Sequence, residues 1–142
     1  MDAATLTAVI SAGTAITVVA LTNYFAKSRE HEADWRRLKL ELYREYIFAL
    51  SGMVEGRNSL AAQERHSDAV NGLKLVAPPA VMRSLNAFIE YNSYSNPNKS
   101  LEHHDRLIND LIKTMRADLR PKFQRGDAEL TFYLMGIPPQ NT

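Results

Sequence analysis

Residues 3–26 pass without a charged side chain or a proline, and this stretch constrains the chain more than any other feature. As an α-helix it would be about 36 Å long, enough to cross a hydrocarbon core of roughly 30 Å with some tilt. Leu6, Val9, Ile10, Ile16, Val18, Val19, Leu21 and Phe25 are its strong apolar members. Each favours insertion by roughly 0.3–0.6 kcal/mol, about 3 kcal/mol together. Thr5, Thr7, Ser11, Gly13, Thr14, Thr17, Thr22 and Asn23 oppose them. The balance predicts a transmembrane helix that one arginine, costing roughly 2.5–3.5 kcal/mol at the helix centre, would expel.

Two other readings of this stretch fit less well. A cleaved secretory signal needs a basic start and a short apolar core, whereas residues 1–5 hold one acid and no base, and the apolar run ends in Asn23-Tyr24-Phe25. A helix buried on all sides needs more surrounding protein than 142 residues supply. Lys27, Arg29, Arg36 and Arg37 lie after the stretch and no base precedes it, so the positive-inside rule puts the C-terminal remainder of the chain in the cytoplasm. Tyr24, Lys27 and Arg29 are then the expected membrane-interface anchors. Ala4, Ala8, Ser11, Ala12 and Ala15 recur at helical spacing and form a small-residue face on which two such helices can approach, with threonine hydroxyls able to add interhelical hydrogen bonds.

The rest of the chain is polar enough to bring the mean hydropathy to -0.29. Its 17 basic and 16 acidic side chains interleave, which gives no basic stripe of the kind a nucleic-acid surface needs. The absence of cysteine removes disulfides, thiol nucleophiles and cysteine-based zinc sites.

Periodicity predicts an all-α fold. With no proline before Pro78, the first helix is expected to continue outward. Trp35, Leu38, Leu42, Tyr46, Ala49 and Met53 form one apolar row, Leu40, Tyr43, Ile47, Leu50 and Val54 another, and residues 56–59 mark the end. A second helix is expected over residues 60–76 with Ala69, Leu73 and Val76 inward. A third begins at Pro79 with Met82, Leu85, Phe88 and Ile89 inward. Asn96-Pro97-Asn98 reads as a turn. Ser100 caps a fourth helix with Leu101, Ile108, Leu111, Met115 and Leu119 inward, which Pro121 stops. The apolar run at residues 130–135 is too short to assign to helix or strand, and is expected to dock on the bundle. The resulting architecture is an anchor (1–26), a cytoplasmic up-and-down helical bundle (27–122) and a partly docked tail (123–142).

Chemical constellations are sparse. Glu102-His103-His104-Asp105 is the one cluster resembling a metal site, but adjacent histidines on a helix diverge by about 100° and no second motif completes a shell. His31-Glu32 begins like a zinc-protease motif, with Trp35 where the second histidine belongs. Neither a nucleophile elbow nor a phosphate-cradling glycine loop occurs. No catalytic, metal or cofactor residue and no small-molecule substrate are expected. Trp35, Tyr43 and Tyr46 are candidate interaction aromatics, although that spacing also suits a core.

At Ala33-Asp34-Trp35-Arg36-Arg37-Leu38-Lys39-Leu40-Glu41-Leu42-Tyr43, Leu50-Ser51-Gly52, Leu75-Val76-Ala77-Pro78, Ser95-Asn96-Pro97-Asn98 and Met115-Arg116-Ala117-Asp118-Leu119, the chain resembles small bacterial single-pass membrane proteins of unknown function that carry a cytoplasmic helical domain. The resemblance lies in helix faces and turns and covers most of the chain. It implies a bacterial or phage origin and transfers no activity; the span and its flanking charges then make the bacterial inner membrane the expected location. The leading expectation is a non-enzymatic, membrane-anchored module that meets the lipid bilayer and binds protein partners or copies of itself. The alternative is a small membrane-active effector, a toxin or channel-forming protein of a defence or lysis system.

Overall fold

The computed structural model describes residues 2–53, 58–120, 126 and 129–134, with the side chains of residues 6–10 outside the description. It is all-helical, in the order α1 (Ala3–Ser51), α2 (Leu60–Val76), α3 (Pro79–Asn92) and α4 (Leu101–Leu119), with no strand among the described residues. The chain divides into two units, Met1–Leu38 and Lys39–Thr142, and the division falls inside α1.

In the first unit, every side chain described is exposed, including Ile16, Val18, Val19, Leu21, Phe25 and Trp35. The hydroxyl of Thr17 donates to the carbonyl of Gly13 at 2.8 Å, and that of Thr22 to Val18 at 2.7 Å. These bonds to the preceding turn satisfy the hydroxyl donors within the helix itself. Among the described residues, no helix is long and apolar enough to cross a membrane. The span expected over residues 3–26 is therefore not reproduced there. Ser11, Gly13, Thr14, Thr17, Thr22 and Asn23 dilute the described part of the stretch, and the side chains of Leu6, Val9 and Ile10 fall outside it.

The second unit is a helical bundle with one core. Tyr43, Tyr46, Ala49 and Leu50 of α1, Ala69, Val70 and Leu73 of α2, Val81, Leu85 and Phe88 of α3, and Ile108, Leu111 and Met115 of α4 make up its buried cluster. The three- and four-residue spacing on each helix is what turns one stripe inward. Each large apolar side chain so buried is worth at most about 1.5–3 kcal/mol.

Local chemistry sets the helix ends. The hydroxyl of Ser59 accepts from the amide of Ala62 at 3.2 Å, and Pro79 occupies the first turn of α3. Ala77, before two prolines, is extended with ψ 135° and ends α2. Ser100 accepts from the amide of His103 at 3.3 Å, and Glu102 lies in the first turn, where a carboxylate favours the helix dipole. Residues 93–100 are stitched by side chains. Asn96 Nδ2 donates to the carbonyl of Tyr91 at 2.8 Å, Lys99 Nζ donates to that of Asn92 at 2.9 Å, and the Tyr91 hydroxyl bonds both backbone groups of Ser100.

The bundle corrects several expectations. α1 ends at Ser51 and turns at Gly52, whose amide bonds Phe48 and Ala49, ahead of the predicted stop at residues 56–59. Trp35, Leu38 and Leu40 are exposed, and the apolar side chains of α1 reach the core only from Leu42 onward, Leu42 itself being partly buried against it. Ile89 and Leu101, expected inward, are exposed, and Val81 and Val70 take buried places. Helical spacing offers two adjacent rows on each helix, and the neighbouring helices decide between them. Residues 131–134 form neither helix nor strand. They do dock: the amide of Phe132 donates to Asn109 Oδ1 at 2.8 Å, Arg116 lies 4.8 Å over the Phe132 ring, and Leu134 packs on the core. Val54 and Met135 lie outside the described residues.

A polar node fastens α1 to α4 inside this unit. Asp118 accepts from Lys39 Nζ at 2.9 Å and from the Tyr43 hydroxyl at 2.7 Å. The Lys39 and Asp118 side chains are only 14% and 16% exposed, so the pair is sheltered from the solvent screening that makes surface pairs nearly worthless. Burial first, then the Asp118 carboxylate, push the Tyr43 phenol well above its ordinary pKa.

Candidate functional site

The second unit carries an apolar groove of about 750 Å³. Leu50 at the end of α1, Phe88 and Ile89 of α3, Ile108 of α4 and Leu134 of the tail provide its apolar walls. Phe88 and Ile108 reach it because they belong to the inward stripes of α3 and α4, and Leu134 because the Phe132–Asn109 bond holds the tail against α4.

Two histidines and one carboxylate enter this apolar surround. His66 of α2 lies against Tyr46, with ring centroids 5.6 Å apart, and its Nε2 is buried without a hydrogen-bond partner among the described residues. Burial lowers the pKa of His66, because desolvation penalises the imidazolium, and the ring is therefore neutral at pH 7. His104 of α4 lies 5.3 Å from the Phe88 ring, with Nδ1 3.3 Å from Asp105 Oδ1. Its neighbour His103 points elsewhere. That ring stacks on Tyr91 at 4.4 Å with Arg106 3.1 Å from its Nδ1. The divergence expected of adjacent histidines is thus realised, and no group of three or more potential metal ligands forms among the described residues. The groove offers apolar contact area together with the unpartnered Nε2 of His66 and the polar side chains of His104, Asp105 and Asn92. That combination suits a largely apolar group bearing a few hydrogen-bonding atoms.

A second concavity, of about 720 Å³, lies on the first unit and is lined by Tyr24, Lys27, Ser28, His31, Glu32 and Trp35 of α1 alone. Here three of the sequence-predicted residues meet: Tyr24, Lys27 and Trp35. Tyr24 also makes an edge contact with Phe25 at 5.7 Å, and Arg29 Nε donates to the Phe25 carbonyl at 3.3 Å. No known protein family matches this chain, and no curated protein or solved structure does either.

The remaining predicted residues separate. Ala4, Ser11, Ala12 and Ala15 are exposed on α1, and the side chain of Ala8 is outside the described set. Tyr43 and Tyr46 are not surface aromatics: both are buried in the core, where α1 meets the other helices of the bundle. Trp35 alone of the three candidates is exposed. The groove itself is not marked by any motif of the sequence. His66 precedes Ala69, Val70 and Leu73 at three- and four-residue spacing, and His104 precedes Ile108 in the same way. A histidine extending each apolar stripe was the signal that could have found it.

Proposed function

We propose that this chain is a non-enzymatic, membrane-anchored helical interaction module, with residues 3–26 in a bacterial inner membrane, the bundle on the cytoplasmic side, and protein partners or further copies of the chain as its ligands. The reading is carried by one observation. α1 is continuous through a charge-free stretch whose apolar side chains Ile16, Val18, Val19, Leu21 and Phe25 are exposed. Apolar area of this kind calls for lipid or protein to cover it. Counting Leu6, Val9 and Ile10 from the sequence brings the stretch to the length and apolarity of a span. The back-bonded hydroxyls of Thr17 and Thr22 reduce the cost of carrying threonine into lipid.

Membrane fractionation of cells expressing the full chain tests the anchor. The wild-type chain is expected in the carbonate-washed pellet, and Gly13→Arg, at a cost of roughly 2.5–3.5 kcal/mol, is expected to move it to the supernatant. A wild-type chain found in the supernatant overturns the reading. An alkaline phosphatase fused to the C-terminus is expected to be inactive, and an active fusion would reverse the sidedness.

A further inference from the structure

The concavity on α1 has the geometry of a helix-packing seam. Counting by alternating steps of three and four, Leu21, Tyr24, Ser28, His31, Trp35 and Leu38 share one face, and all are exposed. This is the a/d pattern of a coiled coil, in which each seam residue of one helix enters a hole formed by four residues of the other. In a parallel, in-register pair, Ser28 enters the hole made by residues 24, 27, 28 and 31, and His31 enters the hole made by residues 28, 31, 32 and 35. The union of those two holes is Tyr24, Lys27, Ser28, His31, Glu32 and Trp35, the same six residues that line the concavity. Tyr24 and Trp35 wall it at either end, and the small Ser28 leaves its floor open.

Charge selects the occupant. In this register, Lys27 and Glu32 occupy the g and e positions that face each other across a parallel pair, so each copy's Lys27 meets the other copy's Glu32. The geometry points to a second copy of this chain, docked in parallel along residues 21–38, as the occupant of the seam. The inference rests on the proposed membrane anchor for its parallel sense, since two copies inserted the same way run side by side. It is distinct from association through Ala4, Ala8, Ser11, Ala12 and Ala15. At about 100° per residue, that small-residue face lies on roughly the opposite side of the helix, so one pair of helices cannot use both.

The chain has no cysteine, so single-cysteine variants of the full protein report the contact directly. Membranes from cells expressing Leu21→Cys or Ser28→Cys are expected to give a disulfide-linked dimer on mild oxidation, whereas Ala33→Cys, on the far side of the helix, is expected to stay monomeric. Two positions one heptad apart cannot both cross-link in an antiparallel pair. In the Ser28→Cys background, Lys27→Glu is expected to reduce cross-linking several-fold, and adding Glu32→Lys is expected to restore it. A membrane-bound chain that cross-links through Ser11→Cys or Ala33→Cys but not through Ser28→Cys overturns the seam and leaves the anchor standing. So does a chain that stays monomeric at every position, as it would if another protein covers this face. Cross-linking at residues 21 and 28 in the soluble fraction would uphold the seam and remove the anchor.

Discussion

Removing one oxygen atom at two positions three residues apart is expected to move the stability of the bundle in opposite directions. Tyr43 and Tyr46 are both buried on α1, yet their hydroxyls meet different fates. The Tyr43 hydroxyl donates to the Asp118 carboxylate at 2.7 Å, and a hydrogen bond to a charged partner is worth about 1.5–3 kcal/mol. Tyr43→Phe keeps the ring and forfeits that bond, so it should cost about 2 kcal/mol. The Tyr46 hydroxyl is buried with no partner among the described residues, a condition that costs about 1–3 kcal/mol. Tyr46→Phe removes the polar atom without opening a cavity and should stabilise the bundle by about 1 kcal/mol. For a unit of this size, the two variants should melt roughly 10–20 °C apart. Thermal unfolding of the full chain, followed by far-UV ellipticity at pH 7, reads the difference. Equal shifts, or a loss of stability in Tyr46→Phe, would refute the assignment of partnered and unpartnered hydroxyls.

The same two phenols predict an alkaline limit. Burial raises Tyr46, and burial with the Asp118 carboxylate raises Tyr43, above the ordinary value of 10.0. Ionisation of these phenols therefore leaves stability untouched below pH 10 and lowers it as the pH climbs, by up to about 1.4 kcal/mol per pH unit for each tyrosine, because the unfolded chain gives up protons that the folded one keeps. In denaturant titrations between about pH 10 and 11, Tyr46→Phe should show a shallower decline than the wild type. Gly72→Ala should raise stability by about 0.5–1 kcal/mol in a urea melt, since the added Cβ meets only Leu42 Cδ2, at an ordinary 3.5 Å. Leu85→Ala, at a fully buried site, should cost about 2–5 kcal/mol, and Leu101→Ala, 75% exposed, less than about 0.5 kcal/mol by the same assay.

What the sequence made legible was local. The start of α2 after Ser59, its end before Pro78, the opening of α3 at Pro79 and the cap of α4 at Ser100 each depend on one or two residues acting on their own backbone. The choice between adjacent faces was not legible. Ile89 and Val81 are equally apolar, and only the helices packed around α3 bury one and expose the other. Tyr43 and Tyr46 read as well for a surface as for a core, and the bundle assigns them to the core. The Lys39–Asp118–Tyr43 node joins positions 75 and 79 residues apart, a distance over which no helical period carries information. His66 belongs to no chemical motif, and His104 drew notice only within the metal-like run Glu102-His103-His104-Asp105, so neither was read as lining a groove. Their significance lies in the apolar surround that the fold gives them.

The tail wall of the groove gives way differently from its other sides. Leu50, Phe88 and Ile108 are set in helices, whose backbone bonds yield only with the cooperative unfolding of the bundle. Leu134 is held through the amide of Phe132, the carboxamide of Asn109 and the guanidinium of Arg116, contacts that can part without disturbing any helix. Deuterium should accordingly enter the Phe132 amide long before it reaches the amides of α3. Whatever enters the groove would find three unyielding sides and a compliant fourth.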